Sequence, residues 1–173
     1  KEVGAGLQIS PNGLNVLRAL GLEQSLAAQS SLGHCVSLRR AESDLEVARL
    51  DLTQLEAGQR YYFVHRADLI KQLLDAAKSL GVNIVLNHKV TAIQPGTPSA
   101  IVSDDGVQQY VDLVIDAGGL HSVLRPSLNG GGAPFFTNQV AWRAVVPNVT
   151  KRQNDVQVHM APRSHIVSYP IRG

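Results

Sequence analysis

The stretch that most restricts what this chain can fold into is Asp112 to Arg125, which reads Asp-Leu-Val-Ile-Asp-Ala-Gly-Gly-Leu-His-Ser-Val-Leu-Arg. Leu113 to Ile115 is a short apolar run between two aspartates, the pattern of a strand buried on both faces. Gly118 and Gly119 then allow a backbone turn that residues with side chains resist. A short helical segment over Leu120 to Leu124 is expected next, closed by Pro126. A strand that enters a helix through paired glycines turns backbone N–H groups and a positive dipole end toward an anion. The plainer reading is a tight turn between two packed elements, and the pattern alone does not separate the two.

The remainder of the chain sets the context. Its 173 residues suffice for a sizeable core, as one domain or parts of two. With 44% hydrophobic and 17% charged residues and a net charge of +2, the composition is that of a globular domain. No basic run is interleaved with aromatics, and aromatics are only 5% of the residues, so nothing in the pattern calls for nucleic acid. No apolar stretch approaches the ~18 residues of a membrane span. Cys35 is the only cysteine, which excludes an internal disulfide and a cysteine-built zinc site; a reducing, cytoplasmic location fits. The chain lacks an initiator Met and stops just after a strand-like run, so it is expected to be a piece of a longer protein.

Along the chain, Ser10 and Pro11 open a helix whose apolar stripe is Leu14, Leu17 and Leu20, with Gly21 at its end. A second short helix is expected over Leu22 to Ala28. Gly4-Ala5-Gly6 ahead of them reads as a flexible opening. Residues 35–40, 45–52 and 61–64 alternate as strands. Ala67 to Leu80 is the clearest helix, with Leu69, Ile70, Leu73, Leu74, Ala77 and Leu80 at helical spacing and Gly81 behind it. Val82 to Leu86 reads as a strand of a crossover unit. Lys89 to Gln94, Ser99 to Ser103 and Val107 to Tyr110 form a three-stranded meander, divided by Pro95-Gly96 and by the hairpin signal Asp104-Asp105-Gly106. After the glycine-rich loop at 129–134, strands are expected at 139–146, 156–160 and 166–169.

The residues that could carry chemistry are few. Six histidines are scattered without metal-ligand spacing, so no metal site is expected. No Gly-x-Ser-x-Gly elbow is present, which argues against a hydrolase. Arg66 stands at a helix start, where the dipole disfavours a cation; it is either a solvated side chain or one that faces a bound anion. Arg143 is a charge among apolar neighbours, either pointing to solvent or buried against an anionic partner.

In order along the chain, Gly4-Ala5-Gly6-Leu7-Gln8-Ile9-Ser10-Pro11-Asn12, His65-Arg66-Ala67-Asp68-Leu69, Asp112 to Arg125, Ala141-Trp142-Arg143 and Ser168-Tyr169-Pro170 resemble segments of the single-component FAD-dependent aromatic hydroxylases. That family includes salicylate hydroxylase, 3-hydroxybenzoate 6-hydroxylase and p-hydroxybenzoate hydroxylase. Asp112 to Arg125 is similar to its Gly-Ala-Asp-Gly-x-His-Ser-x-Val-Arg motif.

The resemblance implies a mixed α/β (α+β) fold. Residues 1–33 and 65–134 would form a partial Rossmann-like FAD-binding domain with the three-stranded antiparallel meander, and residues 34–64 and 135–173 part of a mostly antiparallel substrate domain. It implies FAD as cofactor, NAD(P)H as reductant, a small aromatic substrate hydroxylated with O2, and allows a homodimer. It assigns cofactor contacts to Arg66, Gly4, Ala5, Gly6, Val90, Gly118 and Gly119, with Arg143 and Tyr169 as substrate-bordering catalytic residues. Where the family has Asp in its Asp-Gly pair this chain has Gly118. The family's N-terminal Gly-x-Gly-x-x-Gly unit and C-terminal Gly-Asp motif lie outside the chain, so by itself it is expected to hold FAD poorly and to be inactive. A catalytically silent binding module, or a flavin oxidoreductase that does not hydroxylate, are the other readings the resemblance permits.

Overall fold

Ser10 takes an extended backbone with Pro11 at the first helical position, and the Leu14 N–H bonds the Ser10 carbonyl at 2.9 Å. Proline costs nothing there, because the N–H it lacks would have had no partner in the helix. The computed structural model describes residues 5–149 and 154–171. It divides into two compact units, residues 1–82 with 142–173 and residues 83–141.

In the first unit, β1 (Gly6–Ile9), β5 (Tyr62–His65) and β2 (Ser31–Leu32) make an antiparallel sheet in that order. Helices α1 (Pro11–Ala19), α2 (Glu23–Ala27) and α3 (Arg66–Ser79) accompany it. Leu14, Leu17, Leu26, Tyr62 and Val64 are buried together, with Leu7, Ile9, Leu22 and Leu69 packed around them. A second sheet runs β10 (Ser164–Ser168), β9 (Asp155–Ala161), β3 (Cys35–Arg40) and β4 (Glu46–Asp51). It is mixed: β3 is antiparallel to β4 and parallel to β9, with Cys35 opposite Asp155. Cys35 and Ser37 alternate inward on β3. Burial, and Asp155 after it, pushes the Cys35 thiol up to about 11, so it stays an inert thiol.

The second unit is the expected meander: β6 (Val90–Gln94), β7 (Ser99–Ser103) and β8 (Gln108–Val111), with Ala100 and Ser103 buried.

Several expectations are corrected. Gly6, expected in a flexible opening with Gly4 and Ala5, instead begins the strand Gly6–Ile9, because pairing with β5 captures it. The runs at 82–86, 113–115 and 139–146 are not strands; Ile115 is 83% exposed and Trp142 93%. A strand is a pairing, and among the described residues no neighbour hydrogen-bonds these runs into a ladder. Pro126 does not close a helix over 120–124. A 3₁₀ turn covers Gly119–His121, and Pro126 lies in the first turn of α4 (Arg125–Asn129). The rule that opened α1 opens α4 too.

Candidate functional site

Strand β1 runs antiparallel to β5, with Gly6 opposite His65 and Gln8 opposite Phe63. One step further the Arg66 N–H donates to the Ala5 carbonyl at 3.1 Å, so the strand pair continues to the first residue of α3. Ala5, Gly6 and Arg66, far apart in sequence, thereby become neighbours. Arg66 is exposed at the positive end of that helix. Beside it, His65 is the N-cap but supplies no side-chain cap, and its buried Nδ1 has no partner. A buried nitrogen without a partner is a polar group that a hydrogen-bonding ligand atom would satisfy.

Gly6 also marks a close approach. A Cβ there would lie 2.6 Å from Tyr169 Cε2, 2.8 Å from the Tyr169 hydroxyl and 2.6 Å from Ile171 Cγ2. The Tyr169 ring in turn leans on buried Phe63, with centroids 5.3 Å apart, and Phe63 takes an edge contact from Tyr61 at 5.9 Å. The Tyr61 hydroxyl donates to Gln8 Oε1 at 2.8 Å, and the Gln8 side chain also hydrogen-bonds Tyr169. Burial pushes the Tyr169 phenol above its ordinary value, while the Arg143 charge and the Gln8 hydrogen bond pull the other way. Arg143 lies in an exposed segment without regular structure, within electrostatic reach of Tyr169.

Ala5, Gly6, Arg66, Tyr169 and Arg143 thus form one neighbourhood in the first unit. Gly4 lies outside the described residues. Gln8 and Tyr61 escaped the reading of the sequence. Their hydrogen bond joins residues 53 apart, and Gln8, though inside the segment Gly4 to Asn12, has no assigned role there.

Val90, Gly118 and Gly119 belong to the second unit. Val90 is half-buried at the start of β6, opposite Ser103. At the glycine corner Gly119 has φ +63°, a conformation suited to glycine. The Gly118 N–H, however, donates to Asp116 Oδ1 at 2.7 Å. Asp116 Oδ2 accepts from the Ser122 hydroxyl and, at 3.2 Å, from the Leu124 N–H. The Ser122 Oγ accepts the Arg125 N–H at 2.8 Å. These bonds, the Ser122 hydroxyl first, hold the Asp116 carboxyl below the ordinary aspartate value. The corner therefore carries its own anion. A Cβ at Gly118 would meet Asp116 Oδ1 at 2.8 Å, so the Asp116 carboxylate lies against the place where a side chain at 118 would begin.

Among the described residues no group of three His, Cys, Asp or Glu side chains could hold a metal ion, and no helix is long and apolar enough to cross a membrane. A concavity of ≈ 300 Å³ at the β3 and β9 ends, lined by Arg40, Glu42, Met160 and Pro162 among others, contains none of the expected site residues.

The sequence profile of the FAD dependent oxidoreductases matches residues 9–167. Among curated relatives, 3-amino-4-hydroxybenzoate 2-monooxygenase of Streptomyces cremeus is 34% identical over 99% of this chain and 45% of its own length. The 3-hydroxybenzoate 6-hydroxylase of Klebsiella oxytoca is 29% identical over 99% of this chain and 45% of its own. The chain therefore spans less than half the length of these relatives. Among solved structures, Klebsiella pneumoniae HpxO complexed with FAD and uric acid superposes with a TM-score of 0.77 at 22% identity, covering 98% of this chain and 45% of that one. A tetrameric 2-methyl-3-hydroxypyridine-5-carboxylic acid oxygenase gives 0.64 at 24% identity, over 75% and 33% of the two chains. The mixed α/β architecture is thus that of FAD-binding oxygenases, and the profile match over most of its length makes this chain a member of the FAD-dependent oxidoreductase family.

Proposed function

We propose that the protein carrying this chain is an FAD-dependent monooxygenase that hydroxylates a phenolic or carboxylate-bearing aromatic ring, with NAD(P)H as reductant and O2 as oxidant. The observation that carries this reading is the setting of Gly6. On one side it pairs with His65, next to Arg66; on the other its backbone meets Tyr169, within reach of the Arg143 charge. Segments expected to touch cofactor and segments expected to border substrate converge there.

The residues that would hold FAD are Arg66, Ala5 and Gly6, with Gly4 before them, and Val90, Gly118 and Gly119 in the second unit. Bound FAD supplies hydride acceptance and oxygen activation. This chain's own residues bind and orient. Arg143 offers a charge-assisted hydrogen bond to a carboxylate or phenolate. Tyr169, whose phenol burial holds above its ordinary value, offers a second polar contact, and Phe63 holds its ring in place. Residues 1–33 and 65–134 are assigned to the flavin domain, and 34–64 and 135–173 to the substrate domain.

A second reading draws on the Asp116 carboxylate folded into the glycine corner, a disposition that would repel a phosphate. It favours a flavin oxidoreductase that does not hydroxylate, or a silent binding module. The test is made on the full-length protein: flavin absorbance of the purified protein, NAD(P)H oxidation with and without 3-hydroxybenzoate and related aromatics, and ¹⁸O incorporation from labelled O2. The monooxygenase reading expects bound flavin, aromatic-dependent oxidation and label in the ring. Flavin reduction without incorporation would establish the oxidoreductase; absence of flavin would establish the binding module. In the same protein Arg66→Ala is expected to weaken FAD binding by about 1.5–3 kcal/mol, the range for a hydrogen bond to a charged group.

A further inference from the structure

The chain has one cysteine and one methionine, and the sheet of β10, β9, β3 and β4 treats their sulfurs oppositely. Cys35, at the start of β3, is 1% exposed, and its raised thiol keeps thiolate scarce. Met160, near the end of β9, is 38% exposed. Its backbone is held, because its carbonyl accepts the Ala41 N–H at 2.9 Å. Residues opposite each other in a ladder share a face, and Met160 stands opposite Arg40 on β3 and His165 on β10. Met160 and Arg40 also line the concavity of ≈ 300 Å³ at this end of the sheet, with Ala41, Glu42, Ala161 and Pro162. Of these six side chains only that of Arg40 carries N–H donors. Arg39, one residue earlier, is engaged with Asp44 and Glu46, whereas among the described residues no carboxylate pairs with Arg40. A thioether sulfur is a weak acceptor and makes little use of such donors. A sulfoxide oxygen is a strong one.

We propose that Met160 is a redox modification site: a peroxide converts its thioether to the sulfoxide, with the Arg40 guanidinium orienting the peroxide and then holding the new oxygen in the concavity. In that step the sulfur lone pair attacks one peroxide oxygen and the O–O bond breaks. The sulfur is oxidised by two electrons and the peroxide is reduced. The departing oxygen takes up the second proton and leaves as water. The product is polar and chiral where the methionine was flexible and apolar, and dedicated reductases, one for each sulfoxide epimer, reverse the change. The epimer is fixed by the face of the sulfur that the peroxide reaches. Arg40, donating from one side, favours one face.

The proposal stands apart from the monooxygenase reading, and the full-length protein with hydrogen peroxide as probe tests it. Peptide mass spectrometry is expected to show one added oxygen at Met160 while Cys35 remains open to alkylation after unfolding. Met160 should react at least about tenfold faster than Cys35. Met160→Leu should abolish that gain with an unchanged circular dichroism spectrum. Digests of the oxidised protein are then treated with each of the two methionine sulfoxide reductases. One is expected to restore most of the Met160 peptide and the other little. In Arg40→Gln, Met160 should still oxidise, and the two reductases should restore similar shares. Oxidation of Cys35 ahead of Met160, or an untouched Met160 where free methionine is consumed, would overturn the site. Equal shares in the unmodified protein, or an unchanged bias in Arg40→Gln, would overturn the part given to Arg40.

Discussion

Gly6 and Gly13 sit in adjacent elements and respond oppositely to the same methyl group. At Gly6 the new Cβ meets Tyr169 and Ile171 at 2.6 Å; at Gly13, inside α1, the nearest neighbour is Ile9 at 3.5 Å. Gly6→Ala is therefore expected to destabilise the first unit by about 1–3 kcal/mol through overpacking, and to displace the Tyr169 ring. Gly13→Ala is expected to stabilise by about 0.5–1 kcal/mol, because alanine loses less backbone freedom in a helix. Urea denaturation of the two variants checks both signs. Asp116 makes a second prediction at this scale. Its folded-state value is depressed, so its contribution to the corner is present above the unfolded-state value and lost as pH falls through the folded one. The Gly118 and Leu124 amide resonances should titrate together with a midpoint below that of an ordinary aspartate. In Asp116→Asn that titration should vanish. Because a Cβ at Gly118 would lie 2.8 Å from Asp116 Oδ1, Gly118→Asp is expected to disrupt the Asp116 hydrogen bonds and to abolish the shared titration.

Elements differ in how much they owe to packing. Helix α1 places Leu14 at 0% exposure among Leu17, Leu26 and Val64, whereas Leu80 at the end of α3 is 82% exposed. Leu14→Ala is expected to cost about 2–5 kcal/mol, a buried truncation that leaves a cavity. Leu80→Ala should lie within about 0.5 kcal/mol of zero. Thermal unfolding followed at the helical signal distinguishes them. On β3 and β4, Ser37 donates to Glu46 Oε2 at 2.5 Å and Arg49 Nη1 approaches the same oxygen at 3.3 Å. The half-exposed Arg49 contact contributes little to stability, so its role, with that of the buried Ser37 hydroxyl, is to pin the register of the hairpin.

For the whole molecule, the salient feature is apolar surface without cover. Ile115, Trp142 and Val146 are all at least 75% exposed, on runs whose composition suits strands. The isolated chain is expected to self-associate as its concentration rises, and Ile115→Lys with Val146→Lys to suppress this. Trp142, the only tryptophan, gives the measurement directly: its emission should be that of an indole in water at high dilution and shift to the blue on association.

Local pattern alone determined the helices at 11–19 and 66–79, the meander, and the hairpin strands at 35–40 and 46–51, because caps, glycine stops, turn residues and alternation act within a few residues of chain. It also marked Arg66, at a helix start; the family resemblance alone singled out Tyr169. Tertiary structure alone decided that Gly6 to Ile9 is a strand and that the apolar runs at 113–115 and 139–146 are not, since a ladder needs a partner that no local pattern supplies. It alone joined Gln8 to Tyr61 and Tyr169, and folded Asp116 back onto the glycine corner. Hydrogen bonds of that kind depend on where distant segments meet in space, and spacing along the chain carries no record of it.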